Sequence, residues 1–279
     1  MTTVMVTLGL AGASGSLLMF AADLILYFPS HNEHRTALHY FTFIDPGSMT
    51  KDLAVSSMQY ISQFRLMLGG TLGPVAAALY AVGFMQLLYG MEAAGSVLPA
   101  VSSFCLALTM ILGGVYHACF SYTGFLSKAI AACQKGSGTQ GETRSLLSVV
   151  EVHQAYLKFV YKFAAASGIL GSLAFVSCVL TRETLYPAWT ALFAPALSAP
   201  IKKLLKRRSI GGLVLCGGLT NLWNLLFFIT ITVSATRSTS DARLVVISLA
   251  AITLCLSVAL YLIIKPQLSK RQHTAGRIT

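Results

Sequence analysis

Residues 4–28 read VMVTLGLAGASGSLLMFAADLILYF, an apolar run interrupted by a single charged side chain, Asp23. A helix needs about 20 apolar residues to cross the hydrocarbon core of a bilayer, and this run is long enough. No Lys or Arg precedes it. A cleaved signal peptide has a basic start and a shorter apolar centre, so the run reads as a retained first span. Gly9, Gly12, Gly15 and Ser16 provide positions at which a second helix can pack closely.

The same signature recurs outward along the chain. Apolar runs follow at about 64–89, 97–122, 157–180, 210–235 and 244–264, with a shorter one at 186–201. An amphipathic extension of the second backward to Leu53 is an alternative start. The whole chain is 55% hydrophobic and 10% charged, against about 25% charged in soluble domains. A soluble domain of this size cannot hide so much apolar surface. The expected fold is therefore all-α, one polytopic transmembrane helix bundle over residues 1–279, with the lipid bilayer as its first partner. It is an integral protein of the plasma membrane or an endomembrane.

The short run decides the topology. Seven spans with the N-terminus outside leave only Arg182, Arg237 and Arg243 facing outward, and bring the run Lys202, Lys203, Lys206, Arg207 and Arg208 to the cytoplasm with the basic tail. Six spans plus a re-entrant piece at 186–201 are the alternative, and strand at least one basic cluster outside. Basic residues favour the cytoplasmic side, so the expectation is seven spans, N-terminus out and C-terminus in. The net charge of +11 then serves the anionic cytoplasmic leaflet. It is not a nucleic-acid footprint, because the basic residues sit between apolar runs and not on a polar domain.

Other patterns fail their context. Gly136, Gly138 and Gly141 form a GxGxxG, but no strand precedes it. His31, His34 and His39 lie in a mixed polar loop without acidic or Cys partners at metal-site spacing. Six cysteines include no CxxC, and five lie in or beside apolar runs, where cysteine behaves as a small hydrophobe. No Asn-x-Ser/Thr acceptor occurs. Paired glycines at 69–70, 113–114 and 217–218 suggest an internal repeat, but glycine is common in membrane helices anyway. No metal or cofactor is expected.

Few side chains carry chemistry. Asp23 is the one acidic residue well inside a span, where a charge costs about 3 kcal/mol on insertion scales. It shares a helical face with Gly12, Ser16 and Tyr27. Arg65, at similar depth, shares a face with Gly69, Gly73 and Tyr80, and is the obvious partner for Asp23. His117 is the only histidine inside a span, one turn after Gly113 and one before Ser121. Asn221 and Asn224, one turn apart in the sixth span at 210–235, need amide partners in lipid. Glu151, His153, Lys158, Tyr161 and Lys162 read as an interfacial belt. Depth and phase gather Asp23, Arg65, His117, Ser121 and the start of the fourth span toward the cytoplasmic half. Each polar residue has both a bundle-locking reading and a functional one.

Several stretches resemble an uncharacterised family of multi-pass membrane proteins, a domain of unknown function. These are FAADLILYF at 20–28, RLMLGGTLGPVAAALYAVGF at 65–84, GGVYHACF at 113–120, PAWTALFAPAL at 187–197 and GGLTNLWNLLFF at 217–228. The resemblance covers about half the chain and implies motif positions at Asp23, Arg65, Gly70, His117, Pro195 and Asn221. It implies no activity. Two known seven-span classes fit poorly. A retinal protein needs a lysine in its last span, and 244–264 has none. A zinc-dependent membrane hydrolase needs three ligands, and no HxxxH exists.

Three functions remain open. The first is binding or transport of a small molecule or lipid through a cytoplasm-facing polar cavity, with Asp23, Arg65, His117, Ser121, Asn221 and Asn224 as the polar cluster. The second is a lipid-modifying membrane enzyme with His117 as general base. The third is a structural or assembly protein.

Overall fold

The computed structural model describes residues 2–27, 61–135, 139–181, 184–200 and 212–236. The expected span at 244–264, the His31–His39 loop and the basic run at 202–208 lie outside the described residues.

All regular structure among the described residues is helical. The elements are α1 (Thr2–Tyr27), α2 (Gln63–Phe84), α3 (Gln86–Gly90), α4 (Leu98–Lys135), α5 (Gln140–Leu180) and α6 (Gly212–Ala235). A 3₁₀ turn at Glu92–Ala94 precedes α4, and two more, at Ala188–Phe193 and Pro195–Leu197, precede α6. Among the described residues, five stretches are long and apolar enough to cross a membrane: Thr3–Leu26, Gln63–Gly90, Leu98–Cys133, Gln140–Leu180 and Gly218–Ala235.

Helix ends follow local chemistry. The Ser62 hydroxyl accepts the Arg65 N–H and starts α2. Thr139 and Glu142 form a reciprocal capping box that starts α5. The polar segment 134–145, which carries the GxGxxG, is therefore mostly helix, since α4 runs to Lys135 and α5 begins at Gln140. Hydropathy falls where a helix leaves lipid, but its backbone bonds do not stop there. At Met85 the spiral tightens: Leu88 N–H donates to the Met85 carbonyl. The Phe84 carbonyl accepts the Ser103 hydroxyl of α4 at 2.8 Å instead.

Successive helices from α1 through α2 and α4 to α5 pack antiparallel. Gly12 meets Gly83, and a β-carbon on Gly15 would lie 2.9 Å from the Ala76 carbonyl and the Tyr80 nitrogen. These contacts set α1 against α2 at backbone distance, as small residues permit in membranes. Gly73 lies against His117, and Phe84 against Ser103, which aligns α2 with α4. The Ser102 hydroxyl donates to the Gly171 carbonyl, and Thr109 to Ala164, which aligns α4 with α5. Gly9 meets Thr232 while Asp23 meets Asn221, so α6 runs antiparallel to α1.

These pairings have a consequence for the chain path. Since α1, α2, α4 and α5 alternate in direction and α6 opposes α1, α5 and α6 run the same way. The chain therefore passes from one end of the bundle to the other between Leu180 and Gly212. Its described part starts at the α3 end, where Leu185 N–H donates to the Gly90 carbonyl. It then descends between α5 and α6. Ala196 N–H donates to the Ser172 hydroxyl, and the Trp223 indole N–H donates to the Ala194 carbonyl at 3.1 Å.

The expected short span at 186–201 is thus not one continuous α-helix. Pro187 and Pro195 lack an N–H and clash with a preceding carbonyl within a helix, so 188–197 folds as two 3₁₀ turns.

The core is aromatic, with Tyr80, Phe84, Phe175, Phe227 and Phe228 fully buried. The outside is equally apolar. Phe104, Val152, Phe159, Ile169, Leu173 and Leu192 are exposed. Water tolerates such a continuous apolar exterior poorly, whereas a bilayer accepts it.

Candidate functional site

A carboxylate buried in an apolar bundle needs partners. Asp23, near the end of α1, is 6% exposed and has two. His117 of α4 places Nε2 at 3.1 Å from Oδ1. Asn221 of α6 donates from Nδ2 to Oδ2 at 2.7 Å. The Asn221 carbonyl oxygen in turn accepts the Tyr80 hydroxyl of α2 at 2.9 Å. Four helices contribute one side chain each to a single chain of hydrogen bonds.

The local sequence makes this approach possible. Gly73 leaves room for His117, because a β-carbon there would overlap the histidine's own Cβ and Cγ. Ser16 and Asn224 flank the Tyr80 hydroxyl. The Ser16 hydroxyl is itself satisfied, donating to the Gly12 carbonyl at 2.9 Å.

Two buried atoms in this neighbourhood have no partner: His117 Nδ1 and Asn224 Oδ1. A carboxylate only accepts, so His117 Nε2 carries the proton and, in the neutral ring, Nδ1 holds a lone pair. The Asn224 amide N–H₂ faces the Met110 sulfur at 3.8 Å. A thioether also only accepts, which leaves the amide oxygen as the unused group.

The expected Asp23–Arg65 pair is not formed. The Arg65 guanidinium donates from Nε and Nη2 to the Ile25 carbonyl, at 2.8 and 2.6 Å. The last carbonyls of a helix lack intrahelical partners and carry its negative dipole end, so Arg65 caps α1. Ser121, also expected in the cluster, donates to the Ala118 carbonyl at 2.8 Å and packs on Gly70. His153, at the start of the fourth span, is elsewhere. Its Nε2 meets the Cys119 carbonyl at 2.8 Å and the Thr123 hydroxyl at 3.0 Å, tying α5 to α4.

Sequence reading missed the bridging role of Tyr80, whose phase with Arg65 was its only signal. It also missed Gln86, the one amide in the run 64–89. Gln86 is fully buried, and its Oε1 accepts the Thr232 hydroxyl at 3.2 Å. Its backbone carbonyl accepts the Tyr186 hydroxyl at 3.2 Å. This second knot lies at the opposite end of the bundle and locks α3 to α6 and to the chain that enters at Tyr186. Among the described residues, no three His, Cys, Asp or Glu side chains gather as metal ligands.

A family model, DUF6796, described as a family of unknown function, matches residues 1–238. The chain belongs to that family. Every residue of the Asp23–His117–Asn221–Tyr80 chain lies within the matched range. No curated protein and no solved structure matches.

Within this DUF6796 member the cluster offers one carboxylate, one oriented imidazole with a spare nitrogen, and a neutral amide–phenol relay. Such a set can bind a polar group, hold a proton, or accept one from a bound molecule.

Proposed function

We propose that this chain is a seven-span membrane protein that binds a small molecule or lipid at the Asp23–His117–Asn221–Tyr80 cluster and moves it across or within the bilayer. The observation that carries this reading is the cluster itself: a carboxylate in the apolar interior, shared by four helices. Ionisable groups inside membrane bundles mark binding sites and pathways by default.

The topology proposed for it has the N-terminus outside and the C-terminus in the cytoplasm. The parallel run of α5 and α6 supports a crossing between them. The basic residues at 202–208 then fall at its cytoplasmic end, beside anionic lipid. That crossing is broken by 3₁₀ turns, as are the discontinuous spans that line transporter sites. Asp23 lies in the cytoplasmic half, so access is from that side.

Native mass spectrometry of the chain, released from mild detergent, tests the binding reading. The wild type is expected to retain a small-molecule or lipid adduct that Asp23→Asn and His117→Ala lose. The same adduct on all three proteins, or none on any, counts against it.

One observation favours a second reading. Asp23 orients His117 and leaves Nδ1 free, which is how a general base is positioned. A lipid-modifying enzyme would release altered lipid from a supplied mixture, and the His117→Ala variant would not.

A further inference from the structure

The outer face of α5 changes character along its length. Lys158 and Lys162 stand one turn apart on it, both exposed. Ala165, Ala166, Ile169 and Leu173 continue the same side of the helix and are exposed too. Phe159 and Phe163, also exposed, stack beside the lysines with ring centroids 6.3 Å apart.

The contacts of α5 fix the depth of this face. His153 meets Cys119 and Thr123, the Tyr161 ring lies 6.4 Å from that of Tyr116, and Thr109 donates to the Ala164 carbonyl. Lys158 therefore stands level with the α4 turn that carries His117, and His117 meets Asp23. Asp23 is one turn inside the end of α1 at Tyr27. At 1.5 Å per residue, Lys158 and Lys162 begin about 6 and 12 Å inside the end of that span.

Two ammonium groups at that depth on a lipid-facing surface need an anion. The neighbouring helices supply none. No Asp or Glu follows Glu151 in α5, and α4 contains none at all. Glu151 itself is about 10 Å along the axis from Lys158. Among the described residues neither lysine forms an ion pair or a hydrogen bond. Helical side chains lean toward the helix N-terminus, and α5 starts on the side where α1 ends. Both stems therefore lean toward the same bilayer surface, where the anions are lipid phosphates.

We propose that Lys158 and Lys162 hold the phosphate of an anionic phospholipid, whose acyl chains lie along Ile169, Leu173 and the adjoining apolar side of α5. Below the lysines the small Ala165 and Ala166 leave the helix surface open to the lipid. A headgroup without a cation of its own, such as glycerol, leaves its whole negative charge to the two ammoniums. A choline headgroup cancels that charge. This inference rests on the membrane-spanning reading above and is independent of the Asp23 cluster.

Native mass spectrometry of the full chain in mild detergent tests it, with phosphatidylglycerol and phosphatidylcholine of identical acyl chains as probes. One basic side chain near an anionic surface is worth about fivefold in binding, so the wild type should retain phosphatidylglycerol about thirtyfold better. Lys158→Gln and Lys162→Gln should each lower that preference about fivefold. The double variant should abolish it with the melting temperature unchanged. Arginine at both positions keeps the charges and should keep the preference. Arg144→Gln, which removes a charge about 20 Å along the same helix, should keep it as well.

Equal retention of the two lipids, or a preference that survives the double Gln change, overturns the proposal. So does a preference lost in Arg144→Gln, which would mean bulk charge, or full displacement of the lipid by equimolar inorganic phosphate. A lipid-free change of oligomeric state in the double Gln variant assigns the lysines to a second copy and overturns it too. A preference lost with Asp23→Asn instead moves the lipid to the buried cluster, which overturns this inference and supports the binding reading. A preference kept in Asp23→Asn, with no other adduct on any variant, upholds this inference and removes binding at the cluster.

Discussion

The Asp23–His117 contact yields a quantitative prediction. Asp23→Ala and His117→Ala, made singly and together, form a double-mutant cycle across α1 and α4. The Nε2–Oδ1 distance is 3.1 Å, and the side chains are 9% and 8% exposed. Hydrogen bonds to charged groups contribute about 1.5–3 kcal/mol, while neutral interhelical bonds in membranes average about 0.6 kcal/mol. The coupling should therefore be near 2 kcal/mol. His117→Ala alone leaves the carboxylate with Asn221 as its remaining partner and should cost about 3–5 kcal/mol, the penalty for stranding a buried charge. Removing both should cost less than the sum of the single changes by the coupling. Reversible unfolding by SDS titration in mild detergent measures this, read from the fluorescence of Trp189 and Trp223. Additivity within about 0.5 kcal/mol would mean that the two side chains do not interact, and the cluster as described would be wrong.

Other perturbations probe the frame around the site. Gly83→Ala puts a β-carbon into the Gly12 backbone and should cost about 1–3 kcal/mol by overpacking. Gly113→Ala meets nothing within 4 Å and should be neutral or stabilising by up to about 1 kcal/mol; the same SDS titration compares them. Trp223→Phe removes the indole bond to the Ala194 carbonyl. Amide hydrogen exchange at 188–197 should then speed up about fivefold, for a lost bond of about 1 kcal/mol, while exchange in α2 stays unchanged. Thr139→Ala deletes the capping box of α5 at a cost of about 1 kcal/mol. Limited proteolysis near 139–145 should quicken, and the binding properties should not change.

Much of the bundle was legible because its signal is physical and local. Long apolar runs such as 4–28 and 210–235 name their helices by composition alone. The ends of the fourth and fifth helices were not legible from hydropathy, which tracks lipid, whereas helix length tracks capping. The sequence carried the Thr139–Glu142 box that begins α5 ten or more residues before the apolar run. The broken stretch at 186–201 was marked by Pro187 and Pro195, but its 3₁₀ turns depend on partners at Ser172 and Trp223.

For the site, depth and phase selected Asp23, His117, Asn221 and Asn224 as residues of interest. They misjudged who meets whom. Arg65 has the right depth for Asp23, yet it finds the open carbonyl of Ile25 first. Asn221 reaches Asp23 across 198 positions of sequence because α6 packs on α1, a neighbour relation that no single helical face encodes. Tyr80 was visible only as one member of a face until α6 supplied its acceptor.

The most direct test of the account is an experimental structure of the full chain in lipid nanodiscs, resolved well enough to separate side chains, from which the His117 Nε2–Asp23 carboxylate distance is read. The account predicts about 3 Å, hydrogen-bond range, with both side chains inside the bundle at bilayer depth. Asp23 turned toward lipid or bulk water, or a separation beyond about 5 Å with no hydrogen bond possible, would contradict it.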